Sequence, residues 1–391
     1  MSSGTIDKIK LALAVLLVVI LPFSESLKAI CIFALLSLLL LQLHRKEVEI
    51  KLSLFHYGFI FLILSALFSS AFAADPDKSL KGLRDIIHFT ITLFIFQSIS
   101  NEKNIRTILW GLYFSTALAS LLGLIQMVED GRAIEIHSLG NQNYTAMYLI
   151  MAATSMISAI IFSRDNALYL KIVAGILLSF TLVASVMTAM RTSFVALLLF
   201  TVILLASRKR IRTALLLSAL LAALVLPAMY LNKYMWEKLF TLTSLRNRFY
   251  IWEYAINKMK ENPLTGIGLN NFEYTFPLTY LQEAGKTFYD AHSLYMQTAA
   301  QMGLPGLISI LMIIIGFIYT FTKKIRTTSD FEKGVQYSAL GGFLVIFAGG
   351  IFDTTLHHEN AITFSLFAGL MFGYLSTGKG LVNHGDTQGK K

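Results

Sequence analysis

Charge is what this 391-residue chain has least of: 14% of its residues are Asp, Glu, Lys or Arg, against roughly 25% in an ordinary soluble domain. With 55% hydrophobic residues and a mean hydropathy of +0.64, the deficit excludes a soluble globular protein of this size, and an intrinsically disordered one as well. Cysteine is almost missing. Cys31 stands alone in an apolar run, so neither an intramolecular disulfide nor a cysteine-built metal site can form. There is no phosphate-binding glycine loop and no Gly-x-Ser-x-Gly elbow, and Gly266-x-Gly268 has no dinucleotide-binding context, which leaves nucleotide-driven chemistry without support. No short-period repeat is visible. A cleavable leader is not expected either: Lys8 and Lys10 followed by Leu11 to Pro22 imitate one, but Leu21 to Glu25 offers no small-x-small site and Ala71-Phe72-Ala73 lies too far along, so the N-terminus is expected to be retained.

What the chain does have is apolar runs, and a membrane-crossing helix needs about 20 mainly apolar residues. Twelve runs are visible, at 8–23, 27–43, 52–73, 84–100, 105–128, 143–163, 168–188, 192–207, 211–231, 303–322, 335–352 and 359–377. Two of the divisions are inferred. The first runs part at Ser24-Glu25-Ser26, and the stretch from Leu168 to Ala206, too long for one crossing at about 1.5 Å per residue, is divided between Thr188 and Ser193. The expected fold is an all-α integral membrane protein with helices one to nine in residues 1–231, an external cap in 232–302, helices ten to twelve in 303–377 and a disordered tail in 378–391.

Orientation follows from the basic residues. With the N-terminus in the cytoplasm, twenty of the 33 Lys and Arg fall on that side, among them Arg208, Lys209, Arg210 and Arg212. The short loops opposite hold six: Lys28, Lys78, Lys81, Arg84, Arg132 and Arg191. Short loops set topology, so both termini are expected inside. The net charge of +10 is thereby mostly a topology signal. Without a basic stripe interleaved with aromatics, nucleic acid is not an expected partner.

The apolar pattern fails from Asn232 to Met302, far beyond ordinary connection lengths, and long ordered loops are usually functional. Within it Phe249, Trp252, Ile256 and Met259 recur at helical spacing, which predicts a helix over 246–261 ended by Asn262-Pro263. A second helix is predicted from His292 to Met302, capped by Asp290 and stopped by Gly303, with Pro305 opening the next membrane helix.

Four places could carry chemistry. Arg191 lies between two apolar helices on the side where basic residues are scarce, so either it is functional or it snorkels or pairs with a carboxylate such as Asp353. Arg246 and Arg248 begin the first cap helix, where a solvated surface charge is an equal alternative. His292 stands at a helix start that would favour a neutral, proton-accepting ring, although an interfacial hydrogen-bonded histidine fits the same position. Finally, Asp353, His357, His358 and Glu359 invite a metal reading, but no zinc spacing is matched and the adjacent histidines are expected to point apart. Asp353 fits better as an orienting or charge-balancing carboxylate.

The residues in order carry a family likeness. Thr188-x-x-Arg191-Thr192, then Arg248-x-x-x-Trp252-x-x-Ala255 running into Asn262-Pro263-Leu264-x-Gly266-x-Gly268-x-x-x-Phe272, then Ala291-His292-Ser293-x-Tyr295 before Gly303-x-x-Gly306 resemble the bacterial O-antigen ligase and polymerase superfamily. Ser293 stands where many relatives carry Asn. The resemblance implies about a dozen transmembrane helices with one large periplasmic loop, and an inverting, metal-independent GT-C glycosyltransferase without cofactor in the bacterial inner membrane. Its donor would be a glycan on undecaprenyl diphosphate and its acceptor lipid A-core oligosaccharide, joined at the periplasmic face in lipopolysaccharide biosynthesis. Carried over by residue, Arg191 and Arg248 would hold the diphosphate, His292 would be the base on the acceptor hydroxyl, and Arg246 and Asp353 would assist.

Within the superfamily, an O-antigen polymerase or a protein O-oligosaccharyltransferase would use the same donor. From another class, a twelve-helix secondary transporter is disfavoured because no pair of interrupted helices recurs in matching halves.

Overall fold

The computed structural model describes residues 2–130, 134–136, 139, 141–162, 168–188, 190–207, 243–275, 290–325 and 329–376. The regular elements among them are all helical: α1 (Ser3–Ile20), α2 (Glu25–His44), α3 (Leu54–Ala71), α4 (Pro76–Gln97), α5 (Glu102–Asp130), α6 (Gln142–Phe162), α7 (Leu168–Met187), α8 (Arg191–Ser207), α9 (Thr243–Glu261), α10 (Phe272–Thr275), α11 (Leu294–Lys324), α12 (Asp330–Phe343) and α13 (His358–Ser376). A π-helical stretch (Leu344–Ala348) and a 3₁₀ turn (Gly349–Ile351) continue α12. Side-chain oxygens of Ser2, Ser24, Asp75 and Ser329 accept backbone N–H groups in the first turns of α1, α2, α4 and α12, as helix N-caps do.

Among the described residues, seven helices are long and apolar enough to cross a membrane: α2, α3, α5, α6, α7, α11 and α12 with its continuation to Ile351. α8 is apolar but shorter, and α1, α4 and α13 occupy the other described apolar runs while carrying more polar residues. Both inferred divisions fall where the sequence put them: Ser24 caps α2, and Met187 and Arg191 bound the gap between α7 and α8. The run at 211–231, part of the expected cap and the tail from 377 lie outside the described residues.

Polar contacts gather at two ends. At one, Lys28 pairs with Glu359, Asn271 accepts from the Asp75 N–H at 2.8 Å and Asn143 donates to Asp353 at 3.0 Å. At the other, Lys10 donates to Gln42 at 2.7 Å, Gln97 donates to the Lys51 carbonyl at 2.9 Å and the Arg106 guanidinium lies 4.4 Å from the Phe331 ring. Residues that the charge pattern assigns to one side share one end. Between the ends the surface is greasy, with Phe33 and Leu168 more than 70% exposed, as lipid-facing side chains are.

Inside, Phe317 of α11 stacks on Phe343 of α12 with centroids 4.3 Å apart, and Phe55 of α3 stacks on Phe372 of α13 at 4.8 Å. α3 and α11 approach closely because each offers a glycine. A Cβ at Gly58 would lie 2.8 Å from the Ile313 nitrogen, and one at Gly316 would run into the Phe55 backbone. Helix packing in lipid relies on such small residues. A second glycine breaks α11: Gly303 has φ 62° and ψ −155°, and a Cβ there would strike the Pro263 carbonyl, to which the Leu304 N–H donates at 2.8 Å. The expected stop at Gly303 is therefore present, and residues 294–302 form a separate segment before the long apolar part.

Gly316→Leu should cost about 1–3 kcal/mol by overpacking, read as a lower thermal midpoint in detergent. Gly175→Ala should be neutral or stabilising, since its Cβ would meet nothing within 4 Å. Equal behaviour of the two variants would contradict this helix contact.

Candidate active site

The turn before α11 is built around an unusual backbone. His292 has φ 46°, a region costly for a residue with a Cβ. It cannot be the first helical residue, so the helix opens at Leu294 with Ser293 as its N-cap and the expected start at His292 is corrected by two residues. Asp290, expected as the cap, instead accepts the His292 backbone N–H on Oδ1 at 2.7 Å. The same oxygen is 3.2 Å from His292 Nδ1. That contact favours a proton on Nδ1 and leaves Nε2 as the accepting atom. The carboxylate, rather than the helix N-terminus, thus sets the ring's tautomer.

Four neighbours fasten the turn. Trp252 Nε1 donates to the Ala291 carbonyl at 3.0 Å, the Ala291 N–H donates to Gln297 Oε1 at 2.7 Å, Ser293 Oγ donates to the Gly350 carbonyl at 3.3 Å and the Leu294 N–H donates to the Asp353 carbonyl at 3.0 Å. α9, α11 and the end of the α12 continuation thus all meet at His292.

Asp353 is buried. Its Oδ2 accepts from Asn143 and its Oδ1 from the Thr354 N–H at 2.9 Å. Burial pushes its pKa above the usual carboxylate value and the charge of Asp290 adds to the rise; His292, the Thr354 N–H and Arg248 oppose it. Asp353 is therefore within electrostatic reach of both His292 and Arg248. It does not neutralise Arg191 by an ion pair.

Arg191 opens α8 and Arg248 sits on α9, yet they are close enough for the charge of one to act on the other. Among the described residues neither guanidinium forms an ion pair or side-chain hydrogen bond. Two half-buried guanidiniums within electrostatic reach of each other and left unneutralised suit an anion with several oxygens. Arg246 is on the same helix; its side chain lies outside the described residues.

α9 ends at Glu261 as the sequence predicts but begins at Thr243, three residues before the expected start, and its buried face is rotated. Ile251 and Ala255 are buried with Ile267, Phe272, Ala291 and Ala300, while Phe249 is exposed. The face turns so that Trp252 can reach Ala291. Behind it Gly266 and Gly268 hold φ 64° and 95°, and the N–H groups of Ile267 and Gly268 donate to Ala300 and Gln301 at 2.9 and 3.1 Å.

A cavity of about 620 Å³ opens beside His292, walled also by Asp290, Tyr144, Gln301, Thr354 and His357. Neither Arg191 nor Arg248 lines it. On its far wall the expectation that His357 and His358 point apart fails: the rings meet edge to face at 3.7 Å, because His358 has φ 38° and turns back. His357 also stacks on Tyr144 at 4.8 Å, His358 Nδ1 is 3.8 Å from Asp85, and Glu359 is taken by Lys28. Among the described residues no three His, Cys, Asp or Glu side chains converge as metal ligands do.

With three of the four candidate groups gathered around one turn, the comparison with known proteins is specific: residues 173–311 match the family described as O-antigen ligase. The match covers 139 of the 391 residues, about a third of the chain, and over that stretch the chain is similar to this family. The matched stretch holds Arg191, Arg248 and His292 and stops before Asp353. Family members are glycosyltransferase-like enzymes, ligases or polymerases, in multi-pass membrane settings. An uncharacterized protein of Haemophilus influenzae is 33% identical over 89 residues; the match spans 22% of this chain and 22% of that protein.

Asp290 in its orienting role, and Asn143 and Tyr144, escape the sequence. For Asp290 a signal existed, since an Asp two residues before a site histidine is the spacing of an Asx turn. Asn143 and Tyr144 lie at the start of an apolar helix 149 and 148 positions from His292, and nothing local marks them. Asp290→Ala should reduce the Nδ1–H tautomer of His292, seen by ¹⁵N NMR of histidine-labelled protein. An unchanged ring spectrum would remove Asp290 from that role.

Proposed function

We propose that the protein is an O-antigen ligase: an inverting, metal-independent GT-C glycosyltransferase with about twelve transmembrane helices and cytoplasmic termini. It moves O-antigen glycan from undecaprenyl diphosphate to lipid A-core oligosaccharide at the periplasmic face of the bacterial inner membrane. The observation that carries this is the pairing of two unneutralised guanidiniums, Arg191 and Arg248, with a carboxylate-oriented histidine on the wall of an open cavity. The end of the bundle bearing this group is the one the charge pattern leaves poor in Lys and Arg, which supports its external placement.

The chemistry follows. The acceptor hydroxyl oxygen attacks the anomeric carbon of the donor glycan, the carbon–oxygen bond to the diphosphate breaks, and undecaprenyl diphosphate leaves with the electron pair. His292 Nε2 takes the hydroxyl proton as the new bond forms, because a sugar hydroxyl is a poor nucleophile. Negative charge grows on the leaving diphosphate, where fixed guanidiniums stabilise it most. Arg246 adds to that field, and Asp353 balances charge between Arg248 and His292. The free energy lies in the diphosphate linkage, so no nucleotide is needed at this face.

His292→Ala should lower transfer by about 10²- to 10⁴-fold while the protein still inserts and keeps its melting behaviour; normal turnover would take His292 out of the reaction. Lys at Arg191 or Arg248 keeps the charge but loses the fork, so each should lose about tenfold, or 1.4 kcal/mol, mainly in donor use. Activity should survive EDTA, and loss restored by a divalent ion would return the loop around His357 to consideration. The assignment itself is tested by lipopolysaccharide banding in a strain lacking the protein. Polymerised chains should persist on the lipid carrier and vanish from lipid A-core; single repeat units attached to the core would make the protein a polymerase.

A further inference from the structure

The cavity beside His292 is not a diphosphate site. Its charged lining, among the described residues, is Asp85, Glu273 and Asp290 with three histidines, and contains no Lys or Arg. A diphosphate would be repelled there and drawn instead to Arg191 and Arg248, which lie outside it. In a single inverting displacement, nucleophile and leaving group occupy opposite sides of the anomeric carbon. The cavity that His292 faces therefore belongs to the nucleophile.

Its wall is under-bonded. Gln301 Nε2, Thr354 Oγ1 and His357 Nδ1 are buried without a hydrogen-bond partner among the described residues, and the Gln301 Oε1, His357 Nε2 and Tyr144 hydroxyl have none either. Gln301 and Thr354 keep only 5% and 8% of their surface exposed. Native interiors leave few such groups, and several on one wall call for a ligand. The His357 ring is neutral at working pH, its pKa pushed down to about 3 by burial and by His358, so it offers one donor and one acceptor. Tyr144 stacks face to face on it at 4.8 Å and fixes its plane. The amide of Gln301 likewise gives and accepts. Groups with both capacities suit hydroxyls, which also do both. The volume of about 620 Å³ is in the range of small-molecule pockets, roughly 300–1,000 Å³.

We propose that this cavity is the acceptor subsite, taking an uncharged sugar whose hydroxyls are held by Gln301, His357 and Tyr144 while one of them faces His292. The proposal rests on the glycosyl-transfer function above. The test uses the purified full chain in detergent, with lipid-linked glycan as donor and lipid A-core from a ligase-deficient strain as acceptor. Gln301→Leu and His357→Phe, both close in shape, should each raise the acceptor KM about tenfold and leave the donor KM within twofold. Tyr144→Phe, which deletes one oxygen and keeps the stack, should raise the acceptor KM less, and it decides the matter if either larger change fails to fold. A raised donor KM with an unchanged acceptor KM would overturn the proposal and give the cavity to the donor glycan. A wild-type protein that transfers nothing to lipid A-core would overturn the ligase function instead. Wild-type transfer matched by all three variants would sink the subsite alone.

Discussion

Everything at the site hangs on one backbone angle. His292 at φ 46° holds its Nδ1 3.2 Å from Asp290 Oδ1, and a residue with a Cβ stays there only when its surroundings over-determine it. They do so from three directions: an indole N–H from α9, a carbonyl from the end of the α12 continuation, and an amide from α11 itself. Relaxing the turn into the helix would move the imidazole off Asp290 and out of the cavity wall. The strain is thus the means of separating a base from the helix that carries it.

The membrane makes this costly to build. Backbone groups at membrane depth need partners inside the protein, and the helix that meets the turn is irregular there, π-helical from Leu344 and 3₁₀ from Gly349. Thr355 Oγ1 donates to the Ile346 carbonyl at 2.6 Å, and Tyr295 donates to that of Phe347 at 2.7 Å, so the carbonyls loosened by the change of pitch are satisfied by side chains. Such π-helical segments often mark functional sites. Here the change of pitch brings the Gly350 and Asp353 carbonyls to Ser293 and Leu294. Gly350 has no room for a Cβ, which would lie 2.9 Å from Leu294.

Much of this was legible in the sequence, for reasons that differ by element. Apolar runs and caps located the described helices because lipid leaves little choice of periodicity, and Gly303-x-Pro305 announced the break in α11 through backbone chemistry alone. The motifs single out Arg191, Arg248 and His292, although Arg191 and His292 are 101 positions apart. Orientation was not legible. Periodicity gave α9 an apolar face through Phe249, but the demand of Trp252 for a carbonyl at Ala291 turned Ile251 and Ala255 inward. The two histidines at 357 and 358 are expected from sequence to point apart; a positive φ at His358 and the Tyr144 ring bring them together on one wall. Tertiary contacts over long separations set these details, and a single sequence does not carry them.

Charge divides the site in the way the chemistry needs. The arginines have no counter-ion among the described residues and each feels the other's charge; in the proposed reaction an arriving diphosphate would relieve that repulsion, the more so as the leaving group gained charge. The cavity has the opposite character, acidic and histidine-rich, and Asp353 stands between, raised by burial and by Asp290 yet held down by Arg248 and His292. An Asp353 placed against Arg191 would neutralise that fork. By binding Asn143 and the Thr354 N–H instead, it leaves the forks open while keeping negative potential near His292, which the proposed reaction would make cationic. One buried carboxylate, paired with neutral partners, would in that reading let two cations and a base work side by side without cancelling each other.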